Sequence, residues 1–319
     1  MRGRLGTFGA TVAVAAAGAF ALAACGSTST GGSTTASPAS GGTIVIAAFN
    51  FGESKILANM YADVLNKAGF QASVKALGAR EIVEPALEKG SKAGGVDVVP
   101  EYLSTFTEFL NTKQNGANAP AKASPDEQAT LAAARALAGK AGIEVLVPSA
   151  ATDENAFAVT KAFAAKNNLS KLSDLASYSG PLVLGGPAEC PQRPFCEPGL
   201  TSKYGLKITG FTSLDAGGPL TKKALQQGKI QIGLVFSSDA GIAVFGLQVL
   251  QDDKNLQNVD AVVATVNKSA VSAQLTKALN AVDAALTTDE LVALNKMVDV
   301  NGADPAQVAQ TWLSSKGLA

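Results

Sequence analysis

The chain has 319 residues and carries 26 Lys and Arg against 26 Asp and Glu. That balance, with no basic stripe or tail, argues against a nucleic-acid partner. Histidine is absent altogether, which removes the commonest general base, the commonest metal ligand and any Ser-His or Cys-His dyad.

Arg2 and Arg4 precede an uncharged run from Leu5 to Ala24 that ends in Leu22-Ala23-Ala24-Cys25. A charged start, an apolar stretch and small residues at the cut form a secretory signal. Residues 1–25 are therefore expected to be a signal segment, and the Leu-Ala-Ala-Cys ending resembles a bacterial lipobox, in which Cys25 is lipidated. Buried acyl chain contributes about 0.8 kcal/mol per CH₂, so several chains on one Cys hold a protein at a membrane. The expected location is outside the cytoplasm, on the cell membrane. Residues 26–42 are almost entirely Gly, Ser, Thr, Ala and Pro and are expected to form a disordered tether. No later apolar stretch is long enough to cross a bilayer.

The folded part begins with a strand at residues 43–48, then a helix over Ile56, Leu57, Met60, Tyr61, Val64 and Leu65, ended by Gly69. A strand at 72–76, a helix at 80–90 and a strand at 96–99 follow, and Ser124-Pro125 opens an Ala-rich helix over 125–141. Residues 144–148 form the last strand of a first lobe. The second lobe holds a segment at 156–160, a helix at 161–167, strands at 181–184 and 230–236, a segment at 208–211 and a helix at 220–227. Helices at 272–286, 288–298 and 305–315 close the chain. Alternating strands and helices predict an α/β protein with mostly parallel sheets. The expected division is lobe I at 43–147 and 241–319, with lobe II at 148–240.

With Cys25 assigned to lipid, Cys190 and Cys196 remain as an even pair in an exported protein. They flank Pro191-Gln192-Arg193-Pro194-Phe195. A disulfide is the plain expectation, and a redox or metal role is the alternative. No nucleophile-base pair and no phosphate-cradling loop is present, so no catalytic residue, metal or cofactor is expected.

Several fragments, taken in order, resemble one family. They include Glu53-Ser54-Lys55-Ile56-Leu57-Ala58, Pro85-Ala86-Leu87-Glu88-Lys89-Gly90 and Val96-Asp97-Val98-Val99-Pro100-Glu101-Tyr102. Pro187-Ala188-Glu189-Cys190, Leu214-Asp215-Ala216-Gly217-Gly218 and Leu250-Gln251-Asp252-Asp253-Lys254 continue the series. The set is similar to the substrate-binding proteins of ABC importers for glycine betaine, carnitine and choline, from about residue 44 to 318. The resemblance implies a two-lobed periplasmic binding protein fold, type II-like, with two inter-lobe crossings and a ligand cleft between the lobes. It implies a monomer that hands a small quaternary ammonium solute to membrane permease subunits. Such a cation has no N–H to donate, so ring quadrupoles hold it, each face giving about 0.5–2 kcal/mol.

By the same resemblance Tyr102 aligns with a cage tyrosine and Thr105 with a polar cleft position. Phe236 stands where relatives commonly carry a cage Tyr, and Asn155 where some carry another. Lys55 falls near a position that is polar in some relatives, where a cation would repel a cationic ligand. From the residues themselves, Arg193 is a candidate for a ligand carboxylate, and Phe49 or Phe51, just after the first strand, for a further ring. Glu53 is expected to support the start of the first helix and Asp239 to be structural at the hinge. A receptor for a different small ligand, an exported enzyme and a surface scaffold are the competing readings.

Overall fold

The computed structural model describes residues 41–319. The signal segment, Cys25 and the tether up to residue 40 lie outside the described residues. Gly41 and Gly42, expected in the tether, belong to the folded part. The Gly41 amide donates to the Gly69 carbonyl, and the Gln71 amide donates to the Gly42 carbonyl.

Two five-stranded sheets form the two lobes. The chain enters the first through β1 (Thr43–Phe49), α1 (Gly52–Lys67), β2 (Gln71–Gly78), α2 (Arg80–Lys89), β3 (Val98–Tyr102), α3 (Leu103–Asn115), α4 (Glu127–Lys140) and β4 (Ile143–Val145). It crosses over residues 146–154 into β5 (Asn155–Thr160), α5 (Lys161–Asn167), β6 (Val183–Gly186), α6 (Glu197–Tyr204), β7 (Gly210–Ser213), α7 (Pro219–Gln226), β8 (Ile232–Phe236) and β9 (Leu247–Val249). A second crossing over residues 250–261 returns it to β10 (Val262–Asn267), α8 (Ala273–Ala285), α9 (Thr288–Asn295) and α10 (Pro305–Ser315). The strand orders are β2-β1-β3-β10-β4 and β7-β6-β8-β5-β9.

This architecture is α/β with two lobes and two crossings, but the sheets are mixed rather than mostly parallel. β1 runs parallel to β2 and β3, and β6 to β7 and β8. β10 is antiparallel to both its neighbours, and so is β5. Each of these two strands is the first one entered after a crossing. The return to lobe I also comes later than residue 241. β9 pairs with β5 in the second sheet, and the first sheet is rejoined only at β10.

The local reasons are ordinary. β3 and β10 are buried along their whole length, as central strands covered on both faces must be. α1 buries Ile56, Leu57, Met60, Tyr61, Val64 and Leu65 beneath the first sheet, with α8 and α10 against it. Burying six such side chains contributes on the order of 10 kcal/mol before conformational entropy is counted. The Asp126 side chain caps α4 by accepting from the Gln128 and Ala129 amides, and Thr287 with Glu290 forms a capping box on α9.

Candidate functional site

A cavity of about 630 Å³ lies between the lobes. Phe49 and Phe51, Gly78, Tyr102, Pro187, Ser213 and Phe236 all stand on its wall. These residues sit at or just beyond the carboxyl ends of β1, β2, β3, β6, β7 and β8. Both sheets therefore open onto the cavity at the end where α/β crevices form.

Four rings make one side of it. Phe51 from lobe I is the centre, with its centroid 5.9 Å from Phe49, 6.2 Å from Tyr102 and 5.5 Å from Phe236 of lobe II. A cation sandwiched between two faces needs each centroid within about 6 Å on its own side. Rings this close to one another leave no such gap, so the faces available to a ligand are those turned toward the cavity. The Arg80 guanidinium lies 5.4 Å from the Phe49 centroid and uses that ring as its own partner. Gly217 permits the close approach of Phe236: its φ is +66°, and a Cβ there would stand 3.1 Å from the ring.

The wall carries charge, and each of its cations is matched. Arg80 makes a fork to Glu101, with Nη2 to Oε2 at 2.8 Å, and also donates to the Thr105 hydroxyl at 3.1 Å. Lys113 pairs with Glu84 at 2.6 Å and Glu88 at 3.0 Å. Arg193 pairs with Glu189 of its own lobe at 3.2 Å and reaches across the cleft to Glu81 at 3.0 Å. Burial would raise the Glu81 pKa, but the hydrogen bonds and charge of Arg193 outweigh it and hold the carboxyl below its usual range. Asp260, buried on the second crossing, accepts from the Ser104 and Thr105 amides. Burial nevertheless pushes its pKa up to about 7, against the pull of Arg80 and those amides.

Behind the rings lies a buried polar knot. The Tyr102 hydroxyl donates to Glu53 at 2.6 Å, the Ser238 hydroxyl donates to the same carboxylate at 2.8 Å, and the Asn295 amide donates to it as well. The Ser238 amide donates to Asp153 on the first crossing at 2.9 Å. Burial raises the pKa of Glu53 despite these donors. It raises that of Asp153 further, with the Glu53 charge adding to the rise.

Of the candidates from sequence, Tyr102, Thr105, Asn155, Arg193, Phe51 and Phe236 all stand on the wall of this one cavity. Asn155 and Phe236 are direct partners in the β5–β8 ladder, which places both side chains on one face. Arg193 is already engaged by two carboxylates. Lys55 is not on the wall. It lies on α1 near Asp299, a carboxyl that burial raises and that Lys222 and Lys55 help to hold down. Phe51 reaches the wall from the extended residue that precedes α1, so its position does not carry Lys55, one turn into the helix, to the cavity. Asp239 pairs with Lys222 at 2.7 Å. Cys190 and Cys196 are joined by a disulfide, with Cα atoms 5.3 Å apart. Glu53 does more than begin a helix, and Arg80, Asp153 and Asp260 carry no local pattern that marks them. The Pro-Glu-Tyr motif was the one signal, since it contains both Glu101 and Tyr102.

Two lobes, two crossings and a cleft at the strand ends define a solute-binding protein of the periplasmic type. The profile of the family described as the substrate-binding domain of ABC-type glycine betaine transport systems matches residues 42–315, and the chain belongs to that family. It is 28% identical over 276 residues to the glycine betaine-binding protein YehZ of Escherichia coli K12, across 83% of this chain and 88% of the relative. Among solved structures it is similar to one described as a glycine betaine/carnitine/choline ABC transporter. The TM-score is 0.63 at 25% identity, covering 86% of this chain and 99% of that one. Apo YehZ from E. coli superposes with a TM-score of 0.57 at 27% identity, covering 87% of this chain and 99% of that one. The family is one of substrate-binding proteins rather than enzymes.

Proposed function

We propose that this protein is the extracytoplasmic solute receptor of an ABC importer, tethered through lipid on Cys25, and that it holds a small quaternary ammonium solute against the rings of its cleft. The observation that carries the reading is the cluster of Phe51, Tyr102 and Phe236, drawn from both lobes onto one wall. A donor-less cation needs such faces, and the relatives named for glycine betaine, carnitine and choline support that ligand class. The charge on the wall fits too, because its carboxylates outnumber its cations. Thr105 and Asn155 supply polar contacts to the ligand's other end. The ligand bridges both lobes, so it binds the closed form more tightly and shifts the population toward it. The closed form is what permease subunits recognise, and no chemical conversion takes place.

Three ring faces supply about 1.5–6 kcal/mol, against about 8 kcal/mol for micromolar affinity. Choline and glycine betaine should therefore bind in the high micromolar to millimolar range. The test is a melting curve and a calorimetric titration of the purified protein with each. Stabilisation by ligand is expected, with a loss of at least tenfold in affinity for Tyr102→Ala. If neither solute raises the melting temperature at about 100 times the expected Kd, the reading fails.

A further inference from the structure

We infer that the cleft is built for a cation longer than choline or glycine betaine, with a quaternary ammonium head on the ring cluster and an uncharged, partly apolar tail, such as an O-acyl chain, lying along α3. The inference rests on the quaternary ammonium reading above and adds to it the shape and charge of the remainder of the ligand.

Size is the first argument. The Glu81–Arg193 pair already joins the lobes, so the cleft is not gaping, yet its volume is about 630 Å³. At a liquid-like allowance of about 30 Å³ per non-hydrogen atom, a ligand of seven or eight atoms fills about 240 Å³. More than half of the space is left over, and cavities in this range hold ligands of larger size.

Shape is the second. Thr105, Phe109 and Thr112 all stand on the wall. They are spaced i, i+4 and i+7 on α3 and so share one face of that helix. The cavity thus follows α3 for about 10 Å of helix rise, starting beside Tyr102 and leading away from the rings. Lobe II contributes Pro194 and Phe195 to the same cavity. Phe195 is held by the flanking disulfide and by the Gln257 amide, which donates to its carbonyl at 2.9 Å. Glu108 and Lys113 also border this arm. The first accepts from the Lys122 and Ala123 amides and the second is paired with Glu84 and Glu88, which leaves Phe109, Pro194 and Phe195 as the apolar surface for methylenes.

Charge is the third. Among the described residues, every Lys and Arg on the wall already has a carboxylate partner: Arg80 with Glu101, Lys113 with Glu84 and Glu88, Arg193 with Glu81 and Glu189. A ligand carboxylate therefore finds no uncommitted cation and lies close to the acids that already hold these three. A neutral tail meets no such conflict.

The experiment is a calorimetric ladder of choline, acetylcholine, butyrylcholine and hexanoylcholine, with glycine betaine alongside. Affinity should rise about threefold per added methylene until the arm is full, so butyrylcholine should bind about tenfold more tightly than acetylcholine. Glycine betaine should bind more weakly than any ester. Thr112→Phe, at a half-exposed position, narrows the arm and should erase the gain with chain length; Phe195→Ala should flatten it. Should choline bind while chain length makes no difference, or should the tenfold gain survive Thr112→Phe, the tail inference is overturned and the receptor reading stands. Should no quaternary ammonium compound bind, both fall together.

Discussion

The ion pair across the cleft gives a test that does not depend on which solute is bound. Arg193 donates to Glu81 from Nε at 3.2 Å and from Nη2 at 3.2 and 3.0 Å. The two side chains are 28% and 43% exposed, so the pair belongs with surface bridges, which are worth about 0.2–1 kcal/mol. The forked geometry puts it toward the upper end. Its partners lie in different lobes, so the whole of that energy bears on closure rather than on the stability of either lobe. Arg193→Gln should therefore open the unliganded protein measurably in solution scattering, with a larger radius of gyration. It should weaken ligand binding about two- to fivefold, since 1.4 kcal/mol is tenfold. The difference should shrink as salt is raised toward about 1 M, where the Debye length falls to about 3 Å. Glu189→Gln is the control: it removes the same-lobe contact at 3.2 Å and leaves the crossing pair in place. A radius of gyration unmoved by Arg193→Gln, or an affinity loss indifferent to salt, would refute the idea that this pair links the lobes energetically.

Two further outcomes follow from buried or covalent features. Asp283 is fully buried under the Tyr61 hydroxyl, which donates to it at 2.6 Å; burial, only partly countered by that bond, pushes its pKa up to about 7. A carboxyl raised in the folded state stabilises fully below its unfolded pKa near 4 and loses that contribution as pH rises through about 7. Urea midpoints should therefore show Asp283→Asn gaining on the wild type by on the order of 2–3 kcal/mol between pH 5 and pH 8; a constant gap would show that Asp283 does not titrate in this window. Replacing both Cys190 and Cys196 by Ser releases a six-residue separation and should cost about 2 kcal/mol of stability, read as a lower denaturation midpoint that reducing agent reproduces in the wild type.

Much of the architecture was legible because strong local patterns agreed with tertiary burial. The run at β1 and the helical spacing of Ile56, Leu57, Met60, Tyr61, Val64 and Leu65 are buried where the pattern puts them. α3 was not legible, since Thr105, Phe106, Thr107 and Phe109 are weak helix formers. The helix exists because Leu103, Phe106 and Leu110 pack into the core. β9 spans three residues, too few for alternation to show, and missing it moved the expected return to residue 241. At the site, Tyr102, Phe236 and Asn155 came from resemblance to relatives, and Phe51 from its place just after β1. The long-range polar contacts did not, because Arg193 and Glu81 are 112 residues apart, and the Ser104 amide and the Asp260 carboxylate it donates to are 156 apart. Nothing local in a sequence announces a partner at that distance.

The buried knot behind the rings suggests how occupancy of the cleft reaches the crossings. Glu53 takes a proton donor from Tyr102, whose ring stands on the wall, and another from Ser238, two residues beyond Phe236. Ser238 in turn donates to Asp153 on the first crossing. One carboxylate therefore ties a ring of lobe I to the end of β8 and to the hinge. Glu53→Gln keeps the volume but replaces one acceptor with a donor, and Tyr102→Phe keeps the ring but removes the hydroxyl. Each should lower stability by about 1–3 kcal/mol through an unmatched buried group. If the two groups act through one bond, the double variant should cost less than the sum by about 0.5–3 kcal/mol, and the same shortfall should appear in ligand affinity. Additive losses in affinity, with coupling seen only in stability, would mean that the knot holds the fold together without carrying any signal from the cleft.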